Sequence, residues 1–333
     1  MRIWMRPACG WLGVLALWLL CAATPGNAQQ AGDGFPTRSV QLVVPYPPGG
    51  VVDPVARILA PRLANEFGQP VVVENRAGAG GSIGANYVAR ARPDGHTILL
   101  HTGSGMVIQQ LANRNVGYDA RTDFTPVSQI AAAPYVVSVT PGLPVQSLAE
   151  LVALARSRPG ELLYGSAGIG SSPHLITELF NRSAGIEMRH VPYRGNGPMV
   201  NALVAGHEIH IGLDTIPGSK ALAEAGRLRV LALTGPRRNQ ALPDLPTVAE
   251  LGFPGFEATL WLGFFLPRGT PEEAVARWHA ALSTALRDEA VRRRLVDLGF
   301  DIEVSTPREL GERVASELAK WDEVIRAANI TFE

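Results

Sequence analysis

The sequence predicts an α/β chain with largely parallel sheets, on three observations. Short apolar runs alternate with helical patterns from Val40 onward, helix starts carry legible caps, and two extended stretches lack a crossover helix of their own. Val40 to Val44 reads as the first strand. Val55, Ile58, Leu59, Leu63 and Phe67 mark one face of the helix after it, and Val71 to Val73 is the next strand. Further strands are expected at Thr97 to Leu100, Tyr135 to Val139, Leu162 to Tyr164, Arg189 to Val191, Ile209 to Leu213 and Leu228 to Leu233. Ser147 with Glu150, Thr247 with Glu250, Thr270 with Glu273 and Thr306 with Glu309 fit the capping box, with Pro271 and Pro307 behind two of these caps. The chain turns mainly helical from Glu272 to Asn329, so its end packs back on a sheet already formed.

The two extended stretches, Asp123 to Val139 and Ala258 to Pro267, bracket a self-sufficient α/β block. They read as chain crossings between two domains, although either also suits a long buried strand within one sheet. The first domain is then discontinuous, residues 29–126 with 262–333, and the second spans 127–261.

A chain of 333 residues can bury a full core, and its 30 basic residues balance its 30 acidic ones. Zero formal charge, with only Lys220 and Lys320 as lysines, gives no sign of a nucleic-acid groove, so the partner expected is small. Arg2 and Arg6, the apolar run from Trp11 to Ala23 and the stretch "TPGNAQQ" read as an export signal cleaved after Ala28. A lipid-attachment role for Cys21 is the alternative, opposed by the bulk of Leu20. Both cysteines, Cys9 and Cys21, leave with the signal, so the mature chain has neither a disulfide nor a thiolate.

Three helix starts share one design. Asp53-Pro54, Ser172-Pro173 and Gly197-Pro198 each place proline at the first helical position, behind the glycine-bearing loops "PYPPGGVVDP", "GSAGIGSSP" and "PYRGNGP". Ligands of open α/β sheets sit where such loops lie, at the carboxyl ends of the strands. Glycine lets a backbone approach closely, and first-turn N–H groups are free donors at the positive end of the helix dipole. One such loop is an ordinary tight turn; three from two domains suggest a cleft for a small anion. The stretch "GAGGSIG", Gly78 to Gly84, fails the dinucleotide fingerprint because Ile83 stands where its third glycine belongs, and is expected to open a helix around Ala85 to Arg90.

Catalytic patterns are scarce. Ser104 and Ser166 lack the glycines of a nucleophile elbow, Met106 and Tyr164 standing in their places. His207 and His210 lack metal-helix spacing. His174, in the first turn of its helix, either points into the cleft or packs and caps; Asp214 ends a strand as a cleft acceptor or a cap for the next turn.

Together and in order, the segments "RSVQLVVPYPPGGVVDPVARILAPRL", "GQPVVVENRAGAGGSIGANYVARARPDGHTILL", "YGSAGIGSSPHL", "HVPYRGNGP" and "ALPDLPTVAELGFPGFE" resemble the Bug family of periplasmic solute receptors of tripartite tricarboxylate transporters. The resemblance covers essentially the whole mature chain. It implies an α/β, two-lobed periplasmic-binding-protein architecture, type II-like, with two crossing strands joining the lobes. It also implies capture of a small carboxylate (a dicarboxylate, tricarboxylate, amino acid or aromatic acid) by a periplasmic monomer without cofactor, metal or reaction.

The family's ligand loops fall on Tyr46, Gly49, Gly50 and Asp53, on Thr102, Gly103 and Ser104, on Ser166, Ala167, Gly170, Ser171 and Ser172, and on Tyr193 and Asp214. This chain departs from the family at Val51 and Val52, where a hydroxyl residue is common after "PGG". The change favours a less polar or aromatic acid over citrate. A membrane permease is the partner implied. A sensor kinase is the alternative partner, and an exported hydrolase using Ser104 or Ser166 with His174 is the rival from another class.

Overall fold

The computed structural model describes Met1, residues 34–113 and residues 115–332. The expected export signal and its cleavage point lie outside the described residues, Met1 apart. The first run comprises β1 (Val40–Val44), α1 (Val52–Phe67), β2 (Val71–Asn75), α2 (Ser82–Ala89), β3 (Thr97–Thr102) and, after a π-helical turn at Ser104–Ile108, α3 (Gln109–Ala112). The middle run comprises β4 (Phe124–Val139), α4 (Leu148–Ser157), β5 (Leu163–Ser166), α5 (Ser172–Ala184), β6 (Arg189–Pro192), α6 (Asn196–Ala205), β7 (Ile211–Thr215), α7 (Ile216–Glu224) and β8 (Arg229–Leu233). The chain closes with β9 (Thr259–Pro267), α8 (Glu272–Ala285), α9 (Glu289–Asp297), β10 (Asp301–Ile302) and α10 (Pro307–Ala327).

One strand serves two sheets. As far as Pro134, β4 pairs antiparallel with β9; from Tyr135 to Val139 it pairs antiparallel with β7 and β8. The strand order runs β2-β1-β3-β9-β4-β7-β5-β6, with β1, β2 and β3 parallel in one lobe and β5, β6 and β7 parallel in the other. This is the two-lobed α/β architecture that the sequence suggests. Both extended stretches are strands, and they pair with each other along most of their length, with the change of partner falling at Pro134–Tyr135.

The apolar face of α1 is buried at Val55, Ile58, Leu59, Leu63 and Phe67. Phe67 meets Trp278 of α8 edge-on, with ring centroids 4.6 Å apart, so a C-terminal helix closes over an N-terminal one. The Trp278 indole N–H, fully buried, is satisfied by the Gly95 carbonyl at 2.9 Å.

Helix starts differ from the sequence reading in detail. α1 begins at Val52 and α6 at Asn196, each one residue before the expected cap-and-proline pair. Thr306 and Glu309 form the complete capping box. Thr247 and Glu250 make the same reciprocal bonds around a turn, not an α-helix, since Gly252, Pro254 and Gly255 follow at once. Thr270 caps nothing: its hydroxyl donates to the Pro267 carbonyl, and α8 starts behind Pro271 with Glu272 and Glu273 at its positive end.

Candidate functional site

The loops that follow β1, β3, β5, β6 and β7 lie at the carboxyl ends of parallel strands, and most of them end in helix N-termini. These ends are left open. Val51, Ser171 and Gly195, which precede α1, α5 and α6, make no side-chain cap bond, whereas Ser147, Asp288 and Thr306 cap α4, α9 and α10. First-turn amides therefore remain available on three helices. Ser171 occupies a cap position with its hydroxyl buried and without a partner.

On the first lobe, Tyr46, Thr102 and Ser104 form a chain of hydroxyls. The Tyr46 Oη lies 2.7 Å from Thr102 Oγ1, which lies 3.1 Å from Ser104 Oγ and accepts the Gly105 N–H at 3.0 Å. The Tyr46 Oη also lies 3.2 Å from His101 Nδ1, and the Ser104 hydroxyl ends the chain. His101 Nδ1 accepts the Thr102 N–H at 3.0 Å, so this nitrogen is unprotonated. Burial holds the imidazole neutral, its pKa down to about 3, and burial likewise raises the Tyr46 phenol.

Glycines admit this packing. A Cβ on Gly103 would stand 2.3 Å from Nε1 of the buried Trp261, and one on Gly81 would stand 2.6 Å from the His101 ring. The "GAGGSIG" loop thus backs the hydroxyl chain through Gly81, and α2 starts within it at Ser82. Asp53 faces inward. Its carboxylate accepts the Gly49 N–H at 3.0 Å, Arg57 Nε at 3.0 and 3.1 Å, and Asn75 Nδ2 at 2.9 Å. It therefore shapes the "PPGG" turn, in which Gly49 takes a φ of +80°, and offers a ligand little.

On the second lobe several predicted residues also spend their polar atoms on the protein. Ser166 is fully buried, its Oγ 2.6 Å from His190 Nε2 and 3.1 Å from the Gly168 N–H that it accepts. Gly170 donates its N–H to His174 Nδ1 at 3.0 Å, and the Phe332 ring packs against its α-carbon. Tyr193 donates to Glu208 at 2.9 Å. Ala167 is half-buried at the foot of this loop, and Ile169 at its crest is exposed. Asp214 accepts the Thr215 N–H at 2.7 Å and a bond from Asn196 Nδ2, while Asn196 Oδ1 is buried and unpartnered. Burial raises the Asp214 carboxyl, and those two donors oppose the rise.

Tyr135 joins the two halves, and sequence reasoning missed it. It stands where β4 changes partners; burial raises its phenol, the Ser172 hydroxyl opposes that rise and the nearby charge of Asp214 adds to it. Asn196 and His190 were missed as well. Each was visible only as an ordinary polar residue in "PYRGNGP" or "MRHVPY". His210, set aside as a metal ligand, accepts the Leu163 N–H at 3.0 Å and stabilises the start of β5.

Two surface grooves, of about 670 and 830 Å³, lie elsewhere, one along α10 at Glu309, Arg313 and Lys320 and the other along α2 at Ser82, Asn86 and Arg90. Neither is lined by the open ends of α1, α5 and α6, so the loop cluster is the better candidate.

Fold and loops together define a two-lobed solute-binding receptor of the periplasmic type. The chain belongs to the tripartite tricarboxylate transporter receptor family, whose model matches residues 55–330. It is similar to an R. palustris protein solved with adipate, at 41% identity and a TM-score of 0.75 over 90% of this chain and 100% of that one. MatC of Rhodopseudomonas palustris, solved with bound malate, is 35% identical with a TM-score of 0.71, over 87% and 100%. The periplasmic binding protein BugD is 31% identical with a TM-score of 0.72, over 90% and 100%. The family is one of receptors, not of enzymes. Ser166 agrees with that: it faces His190, not the His174 of the hydrolase alternative, and is closed to solvent.

The Asp53 bonds give a pH-dependent expectation. Arg57 above all, then Gly49 and Asn75, hold its carboxyl below the usual carboxylate range, against a smaller opposing effect of burial. A depressed pKa gives stability that is complete above the unfolded value of about 3.9 and is lost as pH falls through the folded one. Asp53→Ala should cost about 1 to 2 kcal/mol in urea unfolding at neutral pH, allowing for the solvent around Arg57. The gap to wild type should narrow as pH falls below about 3.9; a gap that stays constant with pH contradicts the assignment.

Proposed function

We propose that the protein captures a small, weakly polar dicarboxylate between its lobes, closes on it and presents it to a permease of the tripartite tricarboxylate type after export to the periplasm. The observation that carries this reading is the set of uncapped N-termini on α1, α5 and α6, joined by the unpartnered Ser171 hydroxyl and the Ser104 hydroxyl at the end of its chain. All are donors, and none of these groups carries a charge. Carboxylate oxygens, which only accept, complement them. The ligands bound by the adipate-bound and malate-bound relatives support the same class. Val51 and Val52 replace hydroxyls beside the α1 terminus, which favours a methylene chain over the added polar groups of citrate. No described helix is long and apolar enough to cross a membrane.

The magnitudes set the mechanism. Each helix terminus contributes about 0.3 to 1 kcal/mol toward an anion, and micromolar affinity needs about 8 kcal/mol. Hydrogen bonds to a charged acceptor add about 1.5 to 3 kcal/mol each, so several must form at once. Closure of residues 127–261 against 29–126 and 262–333, about the paired β4 and β9, brings both sets to one ligand and shifts an open population toward a closed one.

Gly50 tests the site. A Cβ there meets only the Pro47 carbonyl, at 3.4 Å, so Gly50→Val leaves the fold intact and obstructs the loop's approach to a ligand. Calorimetry with adipate should show at least about tenfold weaker binding, roughly 1.4 kcal/mol. Unchanged affinity removes this loop from the site. For closure, small-angle scattering should record a smaller radius of gyration in saturating adipate; equal radii in a protein that calorimetry shows to be saturated refute it.

A further inference from the structure

The second-lobe loop owes its shape to two histidines that the ligand reading leaves idle. His174 of α5 and His190 of β6 stack face to face, with ring centroids 3.8 Å apart and an 8° interplanar angle; Tyr164 of β5 stacks beyond His190 at 5.0 Å. Each imidazole reaches one end of the loop. His174 Nδ1 accepts the Gly170 N–H at 3.0 Å, and His190 Nε2 meets Ser166 Oγ at 2.6 Å. Ser166 Oγ in turn accepts the Gly168 N–H at 3.1 Å. Gly168 and Gly170 hold φ values of +128° and +75°, conformations that need such external support to be fixed. Directly after them come Ser171, with its unpartnered hydroxyl, and the open end of α5.

We propose that His174 and His190 are positioning residues which, as a neutral stacked pair, hold the 166–172 loop in the shape that presents the α5 amides and Ser171 to the ligand. The proposal rests on the reading of that loop as half of the binding site. It fixes the tautomer of His174: Nδ1 is an acceptor, so the proton resides on Nε2. A second proton has no place on this ring, because a protonated Nδ1 faces the Gly170 N–H donor to donor and sets a cation against the neighbouring imidazole. The titratable groups around the pair are Tyr164 and, hydrogen-bonded to its hydroxyl, Glu178 of α5. Burial holds both imidazoles down to about 4, and for His174 the charge of its partner adds to this. Folded values below the ordinary 6.5 mean that the pair's support is complete above that pH, weakens as pH falls, and is gone below about 4.

Asparagine places an amide oxygen near Nδ1 and does not titrate; phenylalanine fills the ring's space and accepts nothing. Amide hydrogen exchange at Gly170 and calorimetry with adipate are measured on wild type, His174→Asn and His174→Phe at about pH 7.5 and pH 5. In His174→Phe, Gly170 exchange should rise at least about tenfold and adipate binding weaken at least about tenfold, with the thermal unfolding transition retained. His174→Asn should recover most of both at pH 7.5 and gain on wild type at pH 5, a ratio from which the ligand's own ionisation cancels. Should His174→Phe fail to fold, the ¹⁵N shifts of wild-type His174 decide: an unprotonated Nδ1 that titrates near about 4 supports the proposal, and titration near about 6.5 overturns it. Unchanged Gly170 exchange in His174→Phe, or an asparagine variant no better than phenylalanine, also overturns it. Altered Gly170 exchange in a protein whose wild type ignores adipate leaves the positioning role standing and removes the ligand reading.

Discussion

Backbone amides that the fold declines to satisfy are the interaction on which the rest depends. A helix end buried without partners is costly, and at α4, α9 and α10 this protein avoids that cost with Ser147, Asp288 and the reciprocal Thr306–Glu309 box, while α2, α3, α7 and α8 have no side-chain cap. Nor do α1, α5 and α6. The loops before those helices are nevertheless well ordered by other means: Asp53 with Arg57 and Asn75 holds the first, and the imidazole pair behind Ser166 and Gly170 holds the second. Order is supplied from behind the loop, so that its front can stay unpartnered.

β4 supplies the connection that the proposed closure turns on. Because one strand belongs to both sheets, the lobes share a stiff, doubly paired connection, with Tyr135 at the change of partner and Ser172 and Asp214 beside it. A tyrosine in that place lies near Asp214 of the second lobe and near Tyr46 of the first. α10 adds a further connection, since Glu323 pairs with Arg182 of α5 and Phe332 packs on Gly170.

Much of this was legible in the sequence because its signals are local. Alternating apolar runs located the strands, and proline behind a small residue located the open helix starts to within a residue. What could not be read was set by contacts between residues far apart in the chain. Ser166 and Gly170 belong to the loop as expected, yet their polar atoms turn to His190 and His174, which depends on β5 and β6 lying side by side. Asp53 looked like a cap or a ligand contact and is the tie of its own loop. Thr270 had the right spacing to cap α8, but the helix starts only at Glu272, with Pro271 in the cap position.

An NMR titration of labelled protein with adipate tests the central claim most directly. Amides of Gly50, Ser172 and Asn196, drawn from three loops and both lobes, should shift downfield together along one saturable curve, as donors do on meeting a carboxylate. Shifts confined to a single lobe, or to arginine-rich surface away from these helix ends, contradict the account.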